Sequence, residues 1–439
     1  MTTTKPMLSA AEALNLLLTA AVPVTDTELL PTQAANGRIL AQAQSSQLDV
    51  PPADNSQMDG YAVRAAECLS GAATLSVGQR IPAGHVGQPL QPGTAARIFT
   101  GAMIPAGADA VVMQEMCELT KAPNDGSGAP DSAATDMVTI RRTPASGEWI
   151  RRGGEDIRAG SEILPAGTRL RGQELGLAAS VGLATLPVVR QLRVAVFFTG
   201  DELAMPGEVL KPGAIYNSNR FMLRGLLENL GCDITDYGIV PDTLAATRDT
   251  LRRAAEQHDL IITSGGVSVG EEDHIKPAVE AEGRLNMWQI AIKPGKPLAF
   301  GEVDRAAGAS DASDAASAPN AVGPRRAAFF LGLPGNPVSS FVTFLLFVRP
   351  FILRLQGVSD VAPKAYQMRA NFSWPKADRR NEFLRARINA DGGLDLFPNQ
   401  GSGILTSTVW GDGLIDNPPD RAIAAGDLVR FIPFNELLY

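Results

Sequence analysis

Between residues 192 and about 350 the chain alternates short apolar runs with stretches of helical periodicity, the pattern of a parallel sheet covered by helices. It predicts strands over 193–198, 233–240, 259–263 and 327–333. Helices are predicted over 219–230, ended by Gly231, and over 244–257, with a largely buried helix over 338–348. Before Leu192 the texture changes to short strands broken by Gly and Pro, as in Arg97-Ile98-Phe99-Thr100-Gly101 and the 160–167 stretch, which reads as small β domains. After Pro350 short strands return, over 382–388 and 427–433. Near the start, Ser9 and Glu12 have capping-box spacing ahead of the Ala- and Leu-rich stretch 13–22, which predicts an amphipathic helix. That stretch is too short to span a bilayer, and no other segment reads as transmembrane. Two stretches, 122–136 and 303–324, are rich in small and polar residues and read as inserted surface loops.

In an open α/β sheet, ligands bind just past the carboxyl ends of the strands. The residues at those places carry chemistry. Thr199-Gly200-Asp201-Glu202 follows the first strand and Pro241-Asp242 the second. After the third comes Ser264-Gly265-Gly266-Val267-Ser268-Val269-Gly270, leading into Glu271, Glu272 and Asp273. Leu333-Pro334-Gly335-Asn336-Pro337 follows the last, and Lys293-Pro294-Gly295-Lys296-Pro297 lies between two short apolar runs. The glycines of the 264–270 run free the backbone so that successive N–H groups can face one anion, and its serines add donors. Carboxylates beside a phosphate repel it unless a hard cation such as Mg²⁺ bridges them, so the acidic lip points to metal-assisted phosphate chemistry.

Composition narrows the classes. The 439 residues are enough for about three domains. With 39 Lys and Arg against 47 Asp and Glu, the net charge of −8 argues against a general grip on nucleic acid or an anionic membrane, so an anionic ligand needs a local cluster. Cys68, Cys117 and Cys232 are widely spaced and form no C-x-x-C pair, which fits a reducing cytoplasm. There is no Walker A motif and no G-x-G-x-x-G after a strand, and three histidines cannot build a histidine-rich metal site. His274, beside Asp273, reads as an ordinary solvent-facing or helix-start residue before it reads as a partner to a metal ligand.

The cradle, the two-lysine loop and the Pro334-Gly335-Asn336-Pro337 run together resemble the MoeA family, the molybdopterin molybdenumtransferases, which includes the E domains of gephyrin and plant Cnx1. Asp54-Asn55-Ser56-Gln57-Met58-Asp59-Gly60-Tyr61-Ala62-Val63-Arg64, Arg97-Ile98-Phe99-Thr100-Gly101-Ala102, the 147–156 stretch and Asn399-Gln400-Gly401-Ser402-Gly403 extend the resemblance over nearly the whole chain. It implies a multidomain α/β plus β fold. A Mog/MoaB-like parallel α/β domain over 187–350 would be flanked by an N-terminal or linker domain over 1–50 and 142–186, a β-rich domain over 51–141 and a C-terminal β-barrel over 351–439. It also implies that molybdate is inserted into adenylylated molybdopterin with release of AMP, in the cytoplasm and with Mg²⁺.

By the same resemblance, Glu202, Asp242 and Asp273 would hold the metal or position the pyrophosphate. Ser264, Gly265, Gly266, Ser268 and Gly270, with Pro334, Gly335 and Asn336, would cradle the pterin phosphate. Lys293 and Lys296 would bind molybdate, with Arg380 and Ser402 as further oxyanion contacts. Asp59 and Thr100 would reach the site from a second domain across an elongated homodimer. Two departures stand out: Asp412 where the family more often has Asn, and the 303–324 insertion. The rival readings are a Mog/MoaB-type molybdopterin adenylyltransferase, which the long β-rich flanks disfavour, and a gephyrin-like scaffold, which would need a fused second enzyme domain.

Overall fold

Alternate side chains of the strand Arg193–Thr199 (β1) enter two different cores, which makes it the middle of a three-layer stack. Val194, Val196 and Phe198 join one buried cluster; Ala195 and Phe197 join another on the opposite face. In the computed structural model, which describes residues 7–69, 71–121, 136–266, 274–305 and 327–438, this sheet has six strands. Besides β1 they are Asp233–Val240 (β2), Leu260–Ser264 (β3), Gly283–Gln289 (β4), Pro297–Asp304 (β5) and Ala327–Leu333 (β6), in the order β2-β1-β3-β6-β5-β4.

β2, β1, β3 and β6 are parallel, as the sequence pattern predicts, but β5 and β4 are antiparallel to their neighbours. Only residues 290–296 separate β4 from β5, too little chain for a crossover. β5 also corrects the predicted 303–324 insertion: Val303 and Asp304 pair with β6, Arg305 donates to Ala255 O and His258 O, and 306–324 lies outside the described residues.

Helices Leu244–Gln257 and Ile275–Glu282 cover one face, through Leu251, Ala254, Ala255, Ile275, Ala278 and Val279. Ser218–Asn229 and the apolar 337–355 segment cover the other. The predicted 338–348 helix is longer than expected: α-helix Pro337–Thr343, a π-helical turn Phe344–Val348 and α-helix Arg349–Leu355 run on without a break. The π turn ends just before Pro350, which has no N–H to continue the α register, so the chain widens one turn instead of stopping. Pro337–Leu355 is long and apolar enough to cross a membrane, but 89 % of it is buried in the core. The N-terminal helix Ala10–Ala20 has the predicted capping box and buries Ala13 and Leu17 against the same core.

The chain reaches its outlying parts through two-stranded ladders, Thr27–Pro31 with Thr185–Val189 and Asn55–Ser56 with Ile150–Arg151. Beyond them lies a second six-stranded sheet built from residues 60–140. The C-terminal strands form a small barrel in which Tyr366–Arg369 pairs with Leu428–Pro433, that strand with Gly413–Asn417, that with Asn381–Ile388, and that with Leu394–Leu396. An Ala370–Leu394 bridge closes it.

Arg190 fastens the first ladder to the sheet. Its Nη1 and Nη2 donate to Asp259 at 2.7 and 2.9 Å, and its Nε donates to Asp26 at 2.7 Å. Burial pushes the Asp259 carboxyl up, but the Arg190 fork and the Arg193 N–H outweigh it and hold the group below its ordinary value. The unfolded chain's aspartate titrates near pH ~3.9. Above that pH the stabilisation is complete, and it is lost as the pH falls through the lower folded value. Asp259→Asn is expected to lower stability by about 3 kcal/mol at neutral pH and to flatten the acid limb of the stability curve. Urea unfolding across the acid range measures both, and parallel acid limbs for the two proteins would contradict the assignment.

Candidate active site

Three loops meet at the carboxyl edge of the parallel strands. Gly265 and Gly266, after β3, have φ of 99° and 64°, where a side chain would be strained. A methyl group built on Gly265 would come 3.1 Å from Thr199 O at the end of β1, and one on Gly335 would lie 3.8 Å from Gly265 Cα. The Gly265 N–H donates to Leu333 O at 3.1 Å. Gly335 and Asn336 are exposed at this junction, and Pro334 is buried beneath it.

Ser264 is buried here, and its hydroxyl turns inward. It donates to Pro334 O at 3.0 Å and accepts from Asn219 Nδ2 at 2.8 Å, while the same amide donates to Gly335 O at 2.7 Å. The side chain predicted to face a ligand therefore ties the cradle to the Pro334 loop. Asn219, on the helix after β1, is the residue the sequence reading missed. Its Oδ1 is buried with no hydrogen-bond partner among the described residues. Ser268, Gly270 and Asp273 lie outside the described residues.

Glu202 is exposed and its carboxylate folds over Gly200, which has φ +139°; a methyl there would come 2.6 Å from Glu202 Oε2. Asp242, half-buried after β2, precedes Thr243, whose hydroxyl caps helix Leu244–Gln257. Both carboxylates thus stand at the ends of adjacent strands. Among the described residues no three metal-ligating side chains are gathered. His274 is the N-cap position of Ile275–Glu282, with no side-chain capping bond.

The two lysines differ sharply. Residues Ile292–Lys293 pair with Asn381–Glu382 of the barrel, which brings Lys293 Nζ to 2.9 Å from Glu382 Oε1 and 3.3 Å from Asp378 Oδ2. Glu382 is fully buried and also accepts from Trp374 Nε1 at 2.8 Å. Asp378 Oδ1 accepts from Arg380 N and Nε at 3.0 and 2.9 Å, and Oδ2 from Nη2 at 2.9 Å. That fork holds the Asp378 carboxyl far below the usual carboxylate range. Lys293 and Arg380, expected as oxyanion contacts, are therefore paired with Glu382 and Asp378. Lys296 is exposed and forms no ion pair among the described residues. Gly295 between them is buried at φ +112°, and a methyl there would lie 2.5 Å from Thr343 Oγ1, so the loop is pressed onto helix Pro337–Thr343. Ser402 joins the same place through its carbonyl, which accepts from Val338 N at 2.9 Å.

Asp59 and Thr100 come together in the second six-stranded sheet. Thr100 donates its backbone N–H and its hydroxyl to Asp59 Oδ1, each at 2.8 Å, and these bonds hold the carboxyl below its ordinary value. Gly60, next to Asp59, lets its strand lie close to the neighbouring one: a methyl there would meet Val112 O at 2.0 Å. No hydrogen bond or ion pair joins Asp59 or Thr100 to the cradle or the lysine loop among the described residues.

Comparison with known proteins gives three matched regions. Residues 8–182 match the family model for the MoeA N-terminal region (domain I and II), 195–354 that of a probable molybdopterin binding domain, and 367–434 that of the MoeA C-terminal region (domain IV). The chain is 40% identical over 421 residues to the molybdopterin molybdenumtransferase of Haemophilus influenzae, covering 94% of this chain and 95% of that protein. It is 36% identical to that of Nostoc sp., covering 86% and 80%. The crystal structure of the molybdopterin biosynthesis MoeA protein from Pyrococcus horikoshii OT3 superposes with a TM-score of 0.78 at 28% identity, over 98% of this chain and 100% of that one. By the three matched regions and these full-length relatives, the chain belongs to the MoeA family.

Proposed function

We propose that the protein is a molybdopterin molybdenumtransferase, which inserts molybdate into adenylylated molybdopterin and releases AMP in molybdenum cofactor biosynthesis. The observation that carries this reading is the contact of the Thr199, Gly265 and Gly335 loops at one edge of the sheet, beside Lys296 of the neighbouring loop, which is exposed and forms no ion pair among the described residues. Backbone at Gly265 and Gly266 is bare enough for a phosphate to approach closely. Lys296, which forms no ion pair among the described residues, offers a cation to a dianion. Breaking a phosphoanhydride bond leaves negative charge on the departing phosphate, and fixed donors and cations lower that barrier.

The donor set fits Mg²⁺, since Glu202 and Asp242 offer hard carboxylate oxygens. When bound there, Mg²⁺ would neutralise phosphate charge. We place Asp59 and Thr100 in a site shared across a homodimer, because their bonds stay within their own sheet and leave the Thr100 side exposed. The three free cysteines favour the cytoplasm.

The test is AMP release from the purified protein given adenylylated molybdopterin and Mg²⁺, with and without molybdate. Molybdate-dependent release, stopped by a chelator, is expected. Transfer of AMP from ATP to free molybdopterin would make the protein an adenylyltransferase, and inactivity in both assays would leave a scaffold.

A further inference from the structure

One side chain joins the three segments around Asp59 and Thr100, and the reaction described above gives it no part. Arg97 stands in the strand Thr94–Ile98, directly opposite Tyr61 of Gly60–Val63. Its Nη1 donates to Gly60 O at 2.8 Å, the carbonyl next after Asp59, and to Ile98 O at 3.1 Å, two residues before Thr100. Its Nη2 donates to the side chain of Gln114, just past the strand Ala110–Met113, and the Gln114 N–H donates to Asp59 O at 3.0 Å. All three acceptors of the guanidinium are neutral, so these bonds hold loops and strands in place and balance no carboxylate.

Aromatic rings fix the place of this cation. Arg97 Cζ lies 4.5 Å from the centroid of the Phe99 ring and 5.3 Å from that of Tyr61, and Arg80 Cζ lies 4.7 Å from the Phe99 centroid. Tyr61 is buried and Phe99 half-buried, so two guanidinium groups contact the ring that immediately precedes Thr100. Asp59 is bonded unevenly: its Oδ1 takes both bonds from Thr100, and its Oδ2 accepts none among the described residues. A carboxylate with one oxygen tied back keeps the other pointed in one direction only while the backbone on both sides of the tie is held. The Thr100 N–H and hydroxyl are the main causes that keep the Asp59 carboxyl low, and the Arg97 cation adds to them.

We propose that Arg97 is a positioning residue for Asp59, locking the Gly60, Ile98 and Gln114 segments together so that the open Asp59 oxygen and Thr100 keep one orientation toward the substrate in the shared site. The inference rests on the placement of Asp59 and Thr100 in that site. A residue that only stabilised the sheet would lower activity by the same factor whether or not position 59 is a carboxylate. A residue that acts through Asp59 loses its effect once that carboxylate is gone.

Single-turnover AMP release, with the full-length protein in excess over adenylylated molybdopterin and molybdate present, separates the two in a cycle of Arg97→Met, Asp59→Asn and the double variant. Arg97→Met is expected to slow the rate at saturating protein about thirtyfold and to change the half-saturating concentration by less than about twofold. In the Asp59→Asn protein the same substitution is expected to slow the residual rate by no more than about twofold. Arg97→Lys, whose ammonium keeps donors for both carbonyls, is expected to recover to within about fivefold of the parent rate. Gln114→Met removes only the third contact, from an exposed position; an approximately fivefold slowing that is absent in the Asp59→Asn protein decides the matter should Arg97→Met not fold. Equal slowing with and without the Asp59 carboxylate, or no slowing in the folded Arg97 and Gln114 variants, overturns the proposal. If Asp59→Asn is as fast as the parent, or the parent releases no AMP, the proposal falls with the reading it rests on; a slow Asp59→Asn protein beside fast Arg97 and Gln114 variants overturns the proposal alone.

Discussion

Lys296→Met is expected to lower molybdate-dependent AMP release by about a hundredfold and to leave thermal unfolding unchanged, whereas Lys293→Met is expected to lose both activity and stability. The two residues have the same charge and lie in one loop, yet among the described residues only Lys293 is ion-paired. Its Nζ meets the fully buried Glu382 at 2.9 Å, and removing it leaves that carboxylate with Trp374 and Asn417 as neutral partners. Breaking one side of a buried pair costs about 3 kcal/mol or more. Lys296 is exposed, so its loss leaves nothing buried and uncompensated. Thermal melts of both variants, read beside the AMP assay, decide it; equal losses of stability would show that the lysines are not partitioned in this way.

The second large effect concerns the subunit arrangement. Asp59→Asn and Lys296→Met proteins are each expected to be nearly inactive, while co-expressing them restores about a quarter of the parent activity. In a shared site, each mixed dimer has one site carrying both substitutions and one carrying neither. Were Asp59 and Lys296 to serve the same site from a single chain, every site in a mixed dimer would be damaged and the mixture would stay inactive. Differently tagged chains, purified for the mixed species, remove ambiguity about assembly. The Asp59 carboxylate is held by Thr100 within its own sheet, so Asp59→Asn disturbs a local turn and not the core.

Much of the central layer is legible in the sequence. β1, β2, β3 and β6 and the helices between them follow from apolar runs and 3.6-residue periodicity, because burial on one or two faces is written into consecutive residues. The capping box at Ser9 and Glu12 is equally local. The antiparallel edge is less legible: β4 and β5 read only as apolar runs flanking the lysine loop, and their direction depends on how short the connection is. The helix across Pro350 ran past its expected end because its packing against the core outweighs the missing N–H.

The site residues divide in the same way. Sequence by itself placed the glycines, the carboxylates and the two lysines at strand ends, since a loop's position follows from the elements beside it. It could not show which charges are free. Glu382 lies 89 positions from Lys293, and Asn219 lies 45 from the Ser264 hydroxyl it turns inward. Asp378 and Glu382 do flank Arg380 in the chain, but nothing local says that they take Lys293 as well. Periodicity and turn chemistry act over a few residues, so the chain alone determines its strands, helices and loop chemistry. Pairing and burial of charges depend on which distant segments the fold brings within about 4 Å, where the low dielectric makes each contact strong. Only the tertiary structure therefore decided that Lys293 and Arg380 are paired and that Lys296 is exposed with no ion pair among the described residues.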